Sequence, residues 1–502
     1  MKNLAYLSSL LILFFSLVSQ SYAQDVKEAT IVLSAEMPDI SSSDSASFAE
    51  LHHLVNQNKE RNSNTFFFFG GASIGPSALS NLDRGSHIID ILNSLEPDAM
   101  GVAKRDFSYF EDELSLRSYE AAFPIVTSNI IDTRTDSFLD GLADRAMITK
   151  GDIKLGILSI VNERLIEEYL LKNAKVKDPL ETIKTKAKAL RDAGADIILL
   201  HYISPYNFVP QLLENKEIDL AYISNPRLTT SEREEISKHP KIMSMDVTGT
   251  AIVVKMAVDA SASIRSIELV KLIDISPDPS VQAQVNAYKF RLDRLLDDRI
   301  GYWDGEFSTL REDVRSGQNA FANYVVDTMR KITDADVALI NGGSIRGDRT
   351  YRKNAVITRR TIASELPFRT NLNVISIRGE QLLDAIEVGL AGLNELEGTF
   401  PHISGMSIVF DASNEAGNRV VSAKIEGKDI DLEKEYILAT TDYLYNGGDG
   451  YKTLASGRQI QDSIFLDSIL ISDLVQRNVR LQGKLSSSID DRLADISAST
   501  KK

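Results

Sequence analysis

Two glycine-rich segments in the second half of the chain combine residue types that bind anions, accept hydrogen bonds and offer aromatic faces. The first, residues 341–346, reads Asn-Gly-Gly-Ser-Ile-Arg and directly follows a short apolar run. Its glycines allow the backbone to approach a ligand closely, and Arg346 can hold an anion through two parallel hydrogen bonds. The second, residues 443–451, places Asp449 among three glycines with tyrosines on either side. These segments therefore predict an anion site beside a carboxylate and aromatic rings.

Short apolar runs separated by helical stretches predict the elements that position these segments. In the first half the runs fall at residues 29–33, 65–69, 153–160, 197–200, 220–223 and 251–257. Runs of this length are typical of largely buried strands, so residues 24–275 are expected to form a layered α/β domain. A Ser-Pro-Asp-Pro cluster then precedes an amphipathic stretch, which predicts a linking helix over 276–300. A second α/β domain is expected over 301–485, and the Ser-rich residues 486–502 are expected to form a loose tail.

The composition excludes several classes of function. A length of 502 residues allows two to four domains, and 43% hydrophobic with 25% charged residues is typical of a globular chain. The net charge of −15 argues against a nucleic-acid partner, because phosphate backbones are bound by basic surfaces. The absence of cysteine excludes a disulfide framework, a thiolate metal site and a cysteine nucleophile.

The first 23 residues have the features of a secretory signal peptide. Lys2 precedes an apolar core at residues 10–18, and Ser-Tyr-Ala at 21–23 supplies small residues for cleavage after Ala23. We therefore expect an exported protein, periplasmic or extracellular, with no membrane association after cleavage. The alternative is an uncleaved anchor.

The two glycine-rich segments, in this order and with the elements between them, resemble the C-terminal domain of the secreted 5′-nucleotidase family. The intervening elements are Pro367-Phe368, Asn373, an Ile-Arg-Gly at 377–379 and a Gly-Thr-Phe-Pro-His-Ile-Ser-Gly at 398–405. The family also includes bacterial UDP-sugar hydrolases and 2′,3′-cyclic phosphodiesterases. The resemblance implies an N-terminal four-layer metallophosphatase-like sandwich, a linking helix and a nucleotide-binding C-terminal α/β domain.

The resemblance also assigns roles within the C-terminal domain. By position, Arg346 and Arg378 resemble the arginines that hold phosphate, Phe400 and Tyr443 the two rings that stack on the base, and Asp449 the acid that accepts hydrogen bonds from ribose. The full expected nucleotide-binding set is Asn341, Gly343, Arg346, Asn373, Arg378, Phe400, Tyr443 and Asp449. The alternative for Phe400 and Tyr443 is that they are core aromatics.

The N-terminal half departs from the family at the positions that bind two divalent metal ions. His201 matches a family ligand, and Asp39 stands where another ligand histidine is expected. The other matched positions have lost their ligand or catalytic side chains and carry Met37, Gly71, Lys104, Arg105, Ser108, Asn225 and Arg227. A dinuclear site needs carboxylate and imidazole ligands that converge on each ion. We therefore predict no metal cofactor and no catalytic residue, with His201 as a locally hydrogen-bonded residue at a strand end.

The favoured hypothesis is an exported protein that binds a nucleotide or nucleoside phosphate without hydrolysing it. Lys104, Arg105 and Arg227 would then contact the phosphate in the degenerate cleft. Such a protein would act as a sensor, a scavenger or a binder regulated by a protein partner. Two alternatives stay open: an active phosphoesterase with a relocated or single-metal site, and an interaction scaffold with a vestigial pocket.

Overall fold

The computed structural model describes residues 27–40, 48–245, 247–259, 261–460 and 469–497. The predicted signal peptide lies outside these residues. None of the helices in the described part of the chain is long and apolar enough to cross a membrane.

The N-terminal domain contains two large sheets and the helices that cover them. Its strands are β1 (Lys27–Ser34), β2 (Thr65–Phe69), β3 (Ala99–Gly101), β4 (Ile125–Val126), β5 (Ile130–Asp132), β6 (Ala146–Lys150), β7 (Ile153–Ile160), β8 (Ala174–Val176), β9 (Ile197–Tyr202), β10 (Leu220–Ile223), β11 (Ile242–Ser244), β12 (Thr250–Val258) and β13 (Ala262–Lys271). Its helices are α1 (Phe48–Arg61), α2 (Ser80–Asp83), α3 (Ser86–Leu95), α4 (Phe110–Glu120), α5 (Arg164–Glu168), α6 (Pro179–Asp192), α7 (Val209–Glu214) and α8 (Thr230–Ser237).

Alternation along the strands builds four layers. One sheet has the order β13-β12-β1-β2-β3-β4 and the other β11-β10-β9-β7-β6. Phe66 and Phe68 of β2 pack between the two sheets, whereas Phe67 and Phe69 face the helices on the outer side. Residues of β7 and β9 likewise pack against α6 on the opposite side. The result is helices, sheet, sheet and helices, which confirms the expected sandwich and the six predicted strands.

A single helix, α9 (Pro279–Leu296), links the domains. Asp278 caps its N-terminus by accepting hydrogen bonds from the N–H groups of Ser280 and Val281. Its apolar face packs on the N-terminal domain, and the Tyr288 hydroxyl bonds Asp90 Oδ2 at 2.8 Å. The helix ends four residues before the predicted boundary because residues from Arg299 onward form a strand.

The C-terminal domain contains a central five-stranded sheet and several smaller sheets, and the domain as a whole has fourteen strands among the described residues. Its strands are β14 (Arg299–Trp303), β15 (Phe307–Ser308), β16 (Val337–Asn341), β17 (Thr350–Tyr351), β18 (Val356–Thr358), β19 (Leu372–Arg378), β20 (Pro401–Ser404), β21 (Met406–Phe410), β22 (Val420–Ile425), β23 (Lys428–Asp429), β24 (Glu435–Thr441), β25 (Arg458–Gln459), β26 (Lys484–Leu485) and β27 (Leu493–Asp495). Its helices are α10 (Arg311–Ser316), α11 (Ala320–Thr333), α12 (Arg359–Glu365), α13 (Gly379–Ala391), α14 (Asp442–Tyr445) and α15 (Ile471–Gln482).

Strand order places the two glycine-rich segments together. The central sheet has the order β20-β16-β24-β19-β25, and β16 runs parallel to β24. The segment after Asn341 and the segment after Thr441 therefore leave the same edge of the sheet. One core lies on each face of this sheet.

The prediction of a loose tail from residue 486 is wrong for the part that the structure describes. β27 pairs in parallel with β21, and Leu493 enters the core below it. Arg492 forms ion pairs with Asp327 and Asp490, both at 2.7 Å. Residues 486–497 are thus part of the C-terminal domain, and 498–502 lie outside the described residues.

Candidate functional site: an arginine-lined cleft

The loop after β2 is closed around a buried aspartate. The Asp106 carboxylate accepts hydrogen bonds from four backbone N–H groups, those of Ala72, Ser73, Ile74 and Ala103, at 2.7–3.1 Å. Burial raises the pKa of Asp106, and these four donors act in the opposite direction. Gly71 has φ +71°, and a Cβ there would lie 2.4 Å from Asp106 Oδ2. No space is left for the bridging carboxylate that the family places at this position.

His201 is fully buried at the end of β9, and both ring nitrogens are engaged. Nδ1 lies 2.8 Å from Ser159 Oγ and Nε2 lies 2.7 Å from Ser224 Oγ. Burial lowers the pKa of His201 to about 3, so the ring is neutral. A ligand histidine needs a free nitrogen lone pair directed at the metal. His201 is therefore locally hydrogen-bonded, as the sequence predicted.

The three cations predicted in this cleft already have acidic partners. The buried carboxylate of Glu36 lies 2.7 Å from Arg227 Nη2 and 3.7 Å from Arg105 Nη1. Lys104 Nζ pairs with Glu168 Oε2 at 2.6 Å. Glu36 was not identified from the sequence as a partner of these cations. Its position two residues after β1, beside the positions where the family has metal ligands, could have indicated it.

These residues do not fit two divalent ions. Glu36 is held by arginines, Asp106 by backbone donors and His201 by serines. Within the described ranges, no three His, Asp or Glu side chains converge in a way that could hold a metal. The remaining substituted positions are filled by local contacts: Met37 is buried, Ser108 Oγ donates to Arg105 O, and Asn225 Nδ2 donates to Ile203 O.

On the C-terminal side, Asn341, Tyr443 and Asp449 meet. Asn341 Nδ2 donates to Asp449 Oδ2 at 2.6 Å, and the Tyr443 hydroxyl donates to Asp449 Oδ1 at 2.7 Å. Burial, followed by the Asp449 charge, raises the pKa of the Tyr443 hydroxyl, which keeps it protonated as a donor. Gly343 lies beside them, where its N–H donates to Gly398 O at 2.8 Å.

Arg346 lies beside these residues, close enough to Arg105 and Asp449 for both charges to act on it. Its side chain is accessible to solvent, yet burial and then Arg105 lower its pKa to about 10. Solvent reaches the Arg346 side chain, but the surrounding protein atoms displace much of its hydration. This combination is typical of a side chain that lines a cleft and not of one on a convex surface. The guanidinium carbon lies 5.2 Å from the centre of the Phe368 ring. Its loop is held by Glu365, whose carbonyl accepts the Arg346 N–H at 2.9 Å.

A second arginine, Arg315 at the end of α10, was not found from the sequence. It is 6% exposed, donates through Nη1 to Leu396 O at 3.0 Å, and its buried Nε has no partner among the described residues. Burial and then Arg346, Arg311 and Arg227 lower its pKa to about 10. Arginines from both domains therefore face one cleft, and the acid that acts on both Arg315 and Arg346 is Asp449.

Three other predicted residues differ from their expected positions or roles. Arg378 is at the opposite end of β19 from this site, because it pairs in register with Glu435 whereas Leu372 pairs with Thr441. Six residues of strand separate the two ends, roughly 20 Å, so the assignment of Arg378 as a phosphate contact is corrected.

Phe400 is 1% exposed and packs edge-on against His402 in the core, so it offers no free stacking face. Asn373 is buried, and its Oδ1 lacks a partner among the described residues.

The N-terminal domain contacts the C-terminal site through α5. The Tyr443 hydroxyl lies 3.3 Å from Glu168 O, and Lys452 Nζ lies 3.4 Å from Glu167 Oε1. A further contact joins Arg369 Nη1 to Asn81 O at 3.3 Å. The cleft is thus lined by both domains and closed on one side by a short helix.

Comparison with known proteins gives a consistent result. Residues 299–456 match the family model of the 5′-nucleotidase C-terminal domain. The chain is 22% identical to a 5′-nucleotidase of Homo sapiens over 476 residues, which is 86% of this chain and 82% of that protein. It is 26% identical to the trifunctional nucleotide phosphoesterase protein YfkN of Bacillus subtilis (strain 168) over 233 residues, 45% of this chain but 16% of that protein.

The fold agrees with these relatives. The structure aligns with that of a 5′-nucleotidase precursor from Thermus thermophilus with a TM-score of 0.74 and 18% identity, covering 93% of this chain and 99% of that one. The match over residues 299–456 and the curated relatives support the 5′-nucleotidase family for this chain, and the structural neighbour shares its two-domain fold.

Proposed function

We propose that this protein is exported and binds a nucleotide or another nucleoside phosphate in the arginine-lined cleft without hydrolysing it. The observation that carries the proposal is the solvent-exposed Arg346 side chain, which forms no ion pair among the described residues and lies near Arg105 and Arg227 of the N-terminal domain. Arginines placed this close repel one another, and a bound anion relieves that repulsion.

The neighbouring acids, Glu36 and Asp449, are outnumbered by the four arginines Arg105, Arg227, Arg315 and Arg346. Glu36 is shared between Arg105 and Arg227, and the single charge of Asp449 acts on both Arg315 and Arg346 while its oxygens accept hydrogen bonds from Tyr443 and Asn341. Burial first, and neighbouring arginines after it, lower the pKa values of Arg346 and Arg315, although the Asp449 charge raises them. A phosphate group supplies the missing charge and suits the planar geometry of guanidinium groups.

We expect no hydrolysis because the N-terminal side of the cleft lacks a set of side chains that could hold catalytic metal ions. Metal ions in phosphoryl-transfer sites lower the pKa of a bound water and neutralise developing charge. Arginine can neutralise charge, but it cannot generate hydroxide near neutral pH. The side chains present would therefore grip a phosphate ester and leave it intact.

The proposal is tested by titrating AMP into the wild-type protein and into Arg346→Ala by calorimetry. Loss of charge-assisted hydrogen bonds is expected to weaken binding roughly 10- to 100-fold. Arg378→Ala is the matched control, because it removes an arginine from the far end of β19 and should leave affinity unchanged. Equal affinity in wild type and Arg346→Ala would contradict the proposal.

A second candidate function is an interaction scaffold whose pocket no longer binds a ligand. It is favoured by the internally bonded Asp449 and the buried Phe400. Failure of AMP, adenosine and inorganic phosphate to bind the wild-type protein would favour the scaffold. Phosphate release from AMP that increases with added divalent ion would instead favour an active phosphoesterase.

A further inference from the structure

Asp449 is the acid whose charge acts on both Arg346 and Arg315, and both of its carboxylate oxygens already accept an internal hydrogen bond. Each carboxylate oxygen accepts one internal hydrogen bond, Oδ2 from Asn341 at 2.6 Å and Oδ1 from Tyr443 at 2.7 Å. Because a carboxylate has about four lone-pair positions, a ligand hydroxyl that approaches Asp449 either competes with these donors or is limited to the positions that they leave. Replacing one hydrogen bond to a carboxylate by another yields little net free energy.

The position of Tyr443 is fixed from several sides. Its ring lies against the backbone of Gly448, where a Cβ would come within 2.5 Å of the ring atom Cζ. Thr441 Oγ1 accepts the N–H of Leu444 and caps the short helix α14 that carries the tyrosine. The hydroxyl is also 3.3 Å from Glu168 O of α5. The tyrosine is therefore held in place with its hydroxyl directed at Asp449.

We propose that Tyr443 is a selectivity residue: its hydroxyl occupies Asp449 as an internal ligand, so that the cleft recognises the phosphate of a nucleotide and gains little from the sugar hydroxyls. The inference rests on the proposed function, because it concerns the same cleft. The inference limits the expected ligands to phosphate monoesters. The protein should bind such esters with similar affinity whether or not the sugar carries hydroxyl groups. Removing the hydroxyl alone should free an acceptor on Asp449 and create discrimination that the wild-type protein lacks.

The experiment compares AMP with 2′,3′-dideoxy-AMP, which has the same base and phosphate but no ring hydroxyls. Wild-type protein is expected to bind the two within about twofold of each other. Tyr443→Phe is expected to bind AMP about tenfold more tightly than the dideoxy compound, since a hydrogen bond to a charged acceptor is worth about that much. Tyr445→Phe is the matched control, because it removes a hydroxyl from the same short helix and should leave the ratio unchanged.

Further variants keep the result interpretable. The double variant Tyr443→Phe/Asp449→Asn should lose most of the preference for AMP over the dideoxy compound. That loss would show that the preference depends on the Asp449 carboxylate. A wild-type protein that already prefers AMP tenfold, or a folded Tyr443→Phe protein with an unchanged ratio, would overturn the inference while leaving phosphate binding intact. If neither compound binds the wild-type protein, the proposed function fails and this inference fails with it.

Discussion

In the N-terminal half of the cleft, the positions that bind metal in the family are filled by permanent packing, whereas the C-terminal half keeps its polar groups and satisfies them internally. The first half has a glycine without space for a side chain, a carboxylate enclosed by four N–H groups and a histidine bonded at both nitrogens. The second half retains Asn341, Arg346 and Asp449, and a single hydroxyl from Tyr443 engages the acid. Building a metal site in the first half would require several coordinated substitutions, whereas removal of one hydroxyl would free an acceptor on Asp449 in the second half.

The largest effect should come from restoring a carboxylate in the N-terminal half. Gly71→Asp would place a Cβ 2.4 Å from Asp106 Oδ2 and 2.5 Å from Gly101 O at a φ that only glycine tolerates well. Overpacking and a buried unpaired charge should together destabilise the fold by more than about 4 kcal/mol. Urea unfolding measures this loss, and Gly317→Asp, at a position with nothing within 4 Å, is the control. A stable Gly71→Asp protein that binds a divalent ion would contradict the description of this half as permanently filled.

Phe400→Ala should have the next largest effect, and it should act on stability. Because the ring is 1% exposed and packs against His402, truncation should cost roughly 3–5 kcal/mol of unfolding free energy. The measurement is chemical unfolding, with AMP titration of the folded fraction beside it. If stability is unchanged and AMP affinity falls tenfold, Phe400 stacks on the ligand after all.

A buried acid behind the Arg346 loop should make stability depend on pH. Burial raises the pKa of Glu365 from its ordinary value of 4.5 to about 7, although Tyr351, Thr309 and Arg349 act against this rise. Between these values the native protein keeps a proton that the unfolded chain has lost, so stability should fall as pH rises from about 4.5 to 7, by roughly 1–3 kcal/mol. Glu365→Gln should remove this slope in urea unfolding, whereas the exposed Glu433→Gln should keep it. An identical slope in the wild-type and Glu365→Gln proteins would show that Glu365 does not cause it.

Lys104→Ala should have the smallest effect. Both side chains of the Lys104–Glu168 pair are about one-third exposed, and such pairs contribute under about 1 kcal/mol. Because Glu168 already neutralises the lysine, AMP affinity should also change by less than about twofold. A tenfold loss of AMP affinity would restore Lys104 as a phosphate contact, as the sequence alone suggested.

Local patterns predicted the framework well. Four consecutive phenylalanines at 66–69 indicated a buried strand, and alternation places two on each side of the sheet. The tail after residue 485 was misjudged because β27 is short and gains its order from pairing with β21, more than 80 residues away. A Ser-rich segment carries no sign of such a distant partner.

Within the site, the sequence identified which groups were lost but not what replaced them. The substitutions at positions 71, 104 and 227 were evident from motif order, whereas the pairing of Arg227 with Glu36 joins residues 191 apart. Arg378 was misplaced because motif order does not say at which end of a strand a residue lies. Phe400 illustrates a further limit: an aromatic in a motif can face a ligand or the core, and burial decides between them.

Binding of a phosphate ester through arginines, without metal chemistry, can be measured in one experiment. AMP and adenosine are titrated calorimetrically into wild-type protein in the presence of a chelator, and free phosphate is assayed after long incubation. We predict that AMP binds at least about tenfold more tightly than adenosine, that binding weakens as salt rises, and that AMP is recovered intact. Equal binding of AMP and adenosine, or AMP binding and hydrolysis that both disappear on chelation, would contradict this description of the cleft.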